Sequence, residues 1–220
     1  MTQTESIDHP QQAARRALVE HRSRQLLDAA ATLMEREGSE AVSMQALATE
    51  AGVSVGLIYR YFGSKEDVLY AVIVDVLDAL ATALPAALED APQDPVRRLA
   101  ATFTAYCTVI DSHRHSTLLT YRESKSLDAE RRERIKDLEL ETAQPLMGSL
   151  RDGVSEGLLV TDDAELVAYD LILMAHAWAL KSWYFTKTRD LESYISSQLA
   201  LALRGIVAPK HRSRYADLLH

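Results

Sequence analysis

The 220-residue chain carries a single cysteine, Cys107, which excludes an internal disulfide framework and suits a reducing compartment. Glycine and proline are scarce, at eight and six, too few for a sandwich or barrel with its many turns. No uninterrupted apolar run approaches the ~20 residues needed to span a bilayer. The longest apolar stretch, 166–185, is broken by Asp170, His176 and Lys181. Residues 1–10 are polar and carry acids, with no apolar centre like that of a signal peptide. Basic residues are outnumbered, 24 Lys/Arg against 32 Asp/Glu, and the net charge of −8 excludes a wholly basic nucleic-acid coat. A soluble, cytoplasmic protein that does not enter the membrane is expected.

What is present points to helices. The composition, 47% hydrophobic and 25% charged, can bury a sizeable core. Apolar residues recur at three and four in Leu18, Leu26, Leu27, Ala30, Leu33 and Met34, a stripe that Gly38 can close. Ser43 and Ser54 can each cap a short helix. Ser64 opens a long fourth helix with Asp67 at the capping-box distance, and Pro85 should end or kink it. Asp94-Pro95 opens a fifth, a short sixth covers 117–124, and Asp128 opens a charged seventh that Pro145 should kink and Gly157 close. Asp162 or Asp163 caps a very apolar eighth running through Phe185. Leu191, Ile195, Leu199, Ala202 and Ile206 mark the last, ended near Gly205 and Pro209. The architecture is all-α, with about nine helices and no internal repeat. Its organisation is a flexible arm (1–14), a three-helix head (15–63), a larger helical body (64–210) and a C-terminal tail (211–220).

Charge divides the same way. Residues 15–65 hold seven Lys/Arg against six Asp/Glu, and residues 66–220 hold seventeen against twenty-four. A slightly positive head on an acidic body suits a protein that touches a polyanion with one end.

The strongest local signal is SMQALATEAGVSVGLIYRYFGSK at 43–65. Gly52 offers the positive φ that a tight turn between two short helices needs, and Val53 fills their angle. Leu47, Ala48, Ala51, Val53 and Ile58 form the small core. Val55, Gly56, Leu57, Tyr59, Arg60 and Tyr61 are left facing outward, small at the start and aromatic later. Such a face suits a major groove, with apolar groups for thymine methyls, and hydroxyls and cations for phosphates.

This pattern, A-x-x-A-G-V-S-x-G-x-x-Y-x-Y-F-x-x-K-x-x-x-L, closely resembles the DNA-binding domain of the TetR family of bacterial regulators. Gly52, Ser54, Gly56, Tyr59, Phe62 and Lys65 match together, over about the first quarter to third of the chain. The resemblance implies a homodimeric repressor on a near-palindromic double-stranded operator, with a helical body that forms dimer and ligand site. Carried over, it has Ser43 cap the first motif helix beside phosphate and Gln45 reach a base edge. Gly56 would let the second helix approach closely, flanked by Val55 and Leu57. Tyr59 and Tyr61 would touch backbone or thymine methyls, and Lys65 one phosphate. The role of Arg60 is open. Ser43 and Leu47 stand where the family often has threonine and isoleucine.

Over the body the reading returns to the residues themselves. Phe103, Tyr106, Tyr121, Arg122, Leu146, His176 and Trp183 are the candidate ligand contacts. Arg122 would neutralise an anionic head, or else pair with Glu123 or a neighbouring helix. His176 is a satisfied core or interface histidine, or a ligand contact. Ala168, Ala175 and Ala179, with Ile195 and Leu199 on the last helix, are the candidate dimer seam. The alternating charges of 130–136 read as a solvated helix face. Cys107 reads as a buried, inert thiol. Asp111, His113 and His115 alternate by two, which scatters them around a helix, so no metal site is assigned. With no nucleophile elbow, phosphate loop, HExxH or cofactor motif, an enzyme is not expected.

Two function classes remain. One is a repressor released by a small-molecule effector, either an apolar molecule with an anionic end or an apolar cation. Some family relatives with inward arginines sense acyl-CoA thioesters, and this chain looks loosely similar. The other is an architectural or partner-controlled DNA-bound protein without a small-molecule site.

Overall fold

A computed structural model describes the backbone of residues 10–220 and the side chains from Ser23 onward. The expected arm at 1–14 and the Leu18 side chain therefore fall partly or wholly outside the described residues. Ten α-helices and two 3₁₀ segments are found among them, against about nine helices expected. They are α1 (Pro10–Glu37), α2 (Met44–Glu50), α3 (Val55–Tyr61), α4 (Lys65–Asp90), α5 (Pro95–Ser112), α6 (Arg114–Glu123), α7 (Ala129–Ser155), α8 (Ala164–Leu180), α9 (Ser182–Phe185) and α10 (Leu191–Ile206). The 3₁₀ segments are Ser124–Ser126 and Pro209–Leu218. The chain divides into two compact units between Val72 and Ile73, inside α4.

Side-chain caps set most of the boundaries. Ser43 accepts from the Ala46 amide, Ser54 from Leu57, Asp128 from Arg131, Asp163 from Leu166 and Asp190 from Ser193. Gly38 and Gly157 close α1 and α7 at φ of 84° and 68°.

Neither internal proline stops its helix. α4 runs through Pro85 and α7 through Pro145. Pro85 and Ala81, whose carbonyl loses its amide donor, are both exposed, so water can satisfy the freed oxygen.

The expected single helix from Asp163 to Phe185 is cut in two. Lys181 leaves helical geometry at φ −122°, ψ 26°. The turn brings Phe185 back over Trp178, with ring centroids 6.2 Å apart and planes at 15°, and to 4.9 Å from Tyr194. Packing of these three rings outweighs the helix continuity that the apolar pattern suggests.

The segment 211–220 is no tail. It belongs largely to the Pro209–Leu218 segment, and Tyr215 is fully buried. An isolated bridge from Leu159 to Val207 ties the loop after α7 to the end of α10. Beside it, a Cβ added at Gly153 would meet Leu159 Cδ1 at 2.6 Å, so glycine is what lets this loop close down on α7.

In the second unit α5 and α8 form the centre, packed on each other and on α7 and α10. Phe103, Cys107 and Ile110 of α5 and Ala168 and Ala175 of α8 are inaccessible there. α4 is long and apolar enough to cross a membrane by length and composition, with a mean hydropathy of 1.9 over its best 18 residues. A third of that window is buried, along one side of the helix. Ile73, Val76, Leu77, Leu80 and Leu84 are buried, and Asp75 lies 3.5 Å from His113 Nε2.

Candidate functional site

In the first unit, α2 and α3 are joined by a turn in which Gly52 takes φ 65°. The Val53 amide returns to the Ala48 carbonyl at 2.9 Å, which fixes the angle between the helices. Leu47, Ala48 and Ile58 form the buried wedge, while Ala51 and Val53 are half-buried. The outward surface is the one read from the pattern: Tyr59 and Tyr61 are 55% and 41% exposed, and Arg60, Gly56, Gln45, Ser43 and Ser54 are exposed with them. Val55 and Leu57 are half-buried on the same helix. Two tyrosine rings thus stay about half exposed on a seven-residue helix. Lys65 departs from its expected free position, since its ammonium donates to the Glu40 carbonyl at 2.9 Å and ties the start of α4 to the loop after α1.

In the second unit a cavity of about 350 Å³ is walled by α4, α5, α6, α7 and α8. Its floor is apolar, built from Ile73, Val76, Leu77 and Leu80 of α4, Ile110 of α5, Ile135 of α7 and Ile172 of α8. Hydroxyl groups of Thr117, Thr120, Tyr121 and Ser124 line one side. Charge enters from α7 through Arg132, Lys136 and Glu139, which share one helical face at spacings of three and four. Lys136 also pairs with Glu133 at 2.7 Å, and Arg132 donates to the Leu127 carbonyl. Burial raises the Glu139 carboxyl above its ordinary range.

Three of the seven candidate ligand contacts come together here: Tyr106, Tyr121 and His176. His176 sits between the two hydroxyls, Tyr106 at 3.2 Å from Nε2 and Tyr121 at 2.7 Å from Nδ1. Burial lowers the His176 pKa to about 4, so the ring is neutral near pH 7.

The other four do not line the cavity. Phe103 and Leu146 are wholly inside the core, because their apolar side chains serve the α5 and α7 packing. Trp183 is 65% exposed on α9, and Arg122 is exposed at the end of α6. The cavity's cations are instead Arg132 and Lys136, on the stretch that read as a solvated face. Ile135 and Leu138 beside them, both buried, are the sequence signal that one side of this helix faces inward.

The candidate dimer seam is also corrected. Ala168, Ala175 and Ala179 are at most 1% exposed, and Ile195 and Leu199 at most 8%, within one chain. Small residues let α8 approach α5 and α10 of its own chain closely, which leaves no surface at those alanines for a second copy. The exposed apolar side chains of these helices are Leu166, Tyr169 and Leu173 on α8 and Leu201 on α10. Asp111, expected to be scattered from His113 and His115, accepts from the Trp178 indole at 2.6 Å. Cys107 is buried, and its thiol is pushed up to about 12.

A family profile described as bacterial regulatory proteins, tetR family, matches residues 26–72, and one described as a tetracyclin repressor-like C-terminal domain matches 92–206. The HTH-type transcriptional regulator HbdR of Aromatoleum sp. (strain CIB) is 37% identical over 201 residues, covering 91% of this chain and 87% of that protein. The chain belongs to the TetR family. As a member it is a transcriptional regulator and not an enzyme. Among solved TetR-family structures, PfmR from Thermus thermophilus is 28% identical with a TM-score of 0.73, covering 81% of this chain and 97% of its own. AibR, solved with isovaleryl coenzyme A and operator DNA, shares the fold at 21% identity and a TM-score of 0.69, covering 82% of this chain and 97% of its own.

Proposed function

We propose that this TetR-family regulator is a homodimeric repressor whose hold on a palindromic operator is released by a largely apolar effector with an anionic end. The observation that carries the reading is the cavity of about 350 Å³, apolar at its floor and bordered by Arg132 and Lys136. Its volume lies within the usual range for small-molecule sites, roughly 300–1,000 Å³. An acyl group fits such a volume and a coenzyme A nucleotide does not, so in an acyl-CoA thioester the acyl part would enter and the phosphates would stay outside with the cations. The AibR complex, of the same fold, supports this class.

DNA contact falls to Ser43, Gln45, Ser54 and the exposed face of α3, with two copies set about one helical turn, ~34–36 Å, apart. Leu166 and Leu201, both about three-fifths exposed, supply apolar surface for a second copy. α4 carries Lys65 at its start and Ile73, Val76, Leu77 and Leu80 in the cavity wall, so displacement of its wall residues by a ligand is felt along one continuous helix. Full reversal of operator competence needs an effector that prefers the released state by ~5.5 kcal/mol. Apolar burial at ~25 cal/mol per Å² reaches that size more readily than a small polar metabolite would.

Glu139 on the cavity wall favours a second reading, an apolar cation. Titrating the operator complex with acyl-CoA thioesters of graded chain length and with tetraphenylphosphonium separates the two. Release by a thioester and not by the cation is expected. Release by the cation alone assigns the site to cations, and release by neither returns the protein to the architectural class.

A further inference from the structure

The two tyrosines around His176 contain a hydrogen that the protein does not use. Tyr106 on α5 and Tyr121 on α6 hold the two ring nitrogens of His176 on α8, and all three side chains line the cavity. A neutral imidazole has one N–H and one bare nitrogen. Two hydroxyls and one N–H therefore bring three hydrogens to two links. One tyrosine donates to the bare nitrogen. The other accepts from the ring N–H, and its own hydrogen is left over. No second hydrogen-bond partner for either hydroxyl is found among the described residues.

We propose that Tyr106, His176 and Tyr121 form a reader that selects effectors bearing an uncharged oxygen acceptor, such as a ketone or hydroxyl, on the part of the molecule held inside the cavity. The inference rests on the cavity being the effector site. Tyr106 is buried and Tyr121 is 45% exposed. A surplus O–H on Tyr121 is therefore met by water until an apolar effector covers it, and an oxygen acceptor on that effector then replaces the water. A site of this kind disfavours the analogue that lacks the matching group, because the donor, once covered by the ligand, then stays unpaired. Charged groups are disfavoured for separate reasons. A carboxylate at this end would lose its hydration beside an apolar floor, and it would also meet Glu139, whose charge acts on both hydroxyls. An ammonium group is drawn to Glu139, but it brings only donors to a neutral string whose spare group is itself a donor. The anionic end of the effector is thus left to Arg132 and Lys136, and its uncharged oxygen to the tyrosines.

The test uses four probes that share one carboxylate end: nonanoate, the same acid with a ketone beside its far end, the same acid with an ammonium at its far end, and azelate, its dicarboxylate. Binding to the full-length protein is measured by titration calorimetry. The keto acid is expected to bind about fivefold tighter than nonanoate, the size of one net hydrogen bond, and about tenfold tighter than the other two. Either single Tyr→Phe change still leaves one hydrogen over, on the other hydroxyl or on the ring N–H, so the test removes all three. In Tyr106→Phe/His176→Phe/Tyr121→Phe the keto acid should lose its advantage while nonanoate still binds. Thr120→Trp, which fills the cavity, should abolish binding of all four. Equal binding of nonanoate and the keto acid, a preference that survives removal of all three hydrogens, or tightest binding by the ammonium acid or azelate overturns the reader and leaves the cavity as the effector site. Absence of binding by any probe to the wild type overturns the reader and the assignment of the cavity alike.

Discussion

Asp94 and Tyr215 stand 121 positions apart in the sequence, and the Tyr215 hydroxyl donates to Asp94 Oδ2 at 2.9 Å. The same carboxylate caps α5 through the Val96 and Arg97 amides and accepts from Arg214 at 2.5 Å. Arg97 then pairs with Asp217 at 2.9 Å. One buried acid thus starts a core helix and holds the end of the chain against it.

Asp94→Ala should cost about 2–4 kcal/mol, the sum of a lost cap and a buried tyrosine hydroxyl left unpaired. Urea unfolding followed by helical signal checks it. A loss below about half a kcal/mol, ordinary for a surface change, would mean that the last segment is held by apolar contacts alone.

The head was almost wholly legible in the sequence, and the body only in part. Caps and turn glycines act within four residues, so Ser43, Gly52, Ser54 and Asp128 declare themselves locally. The outward face of α3 follows from the same spacing. What Pro85 and Pro145 do depends on whether the freed carbonyl reaches water, which spacing does not contain. The break at Lys181 depends on three aromatic rings meeting across two helices. Arg132 and Lys136 read as solvated because they sit among alternating charges, although buried Ile135 marks the inward side. Arg122 read as a partner for an anionic head or for Glu123, and near the end of α6 it is exposed, away from the cavity lining. The alanines of α8 advertise close packing, but not whether the partner is the same chain or a second copy.

Burial depresses the His176 pKa to about 4 from its ordinary value of 6.5. The folded state therefore resists protonation that the unfolded state accepts. The stability linked to this ring is fully present above about pH 6.5 and is lost as pH falls towards 4, by up to about 3 kcal/mol. His176→Gln should flatten the fall in urea midpoint between pH 7 and pH 4.5 relative to wild type. Parallel slopes for the two proteins would show that acid destabilisation comes from carboxylates instead.

Lys65 and Gln45 should separate under salt. Lys65→Ala removes the bond to the Glu40 carbonyl, worth about 1 kcal/mol of stability, and should lower the salt slope of DNA binding by about one unit on every sequence. Gln45→Ala should leave the slope unchanged and relax preference at one base pair. An unchanged slope in Lys65→Ala, with stability reduced, would confine that ammonium to bracing the head.

The proposed dimer surface is that of the exposed leucines of α8 and α10. Leu166→Glu combined with Leu201→Glu should yield monomers of unchanged helical content with weakened operator affinity, read by analytical ultracentrifugation and anisotropy. A dimer that survives both changes would place the interface on another surface.

The most direct measurement is operator anisotropy on Thr120→Trp, in which an indole occupies the cavity while the exposed faces of α2 and α3 are untouched. Its operator affinity is expected to stay within about threefold of wild type, less than 1 kcal/mol, and an acyl-CoA thioester that releases the wild type is expected to leave the variant bound. Release of the variant at the same thioester concentration would contradict an effector site in this cavity.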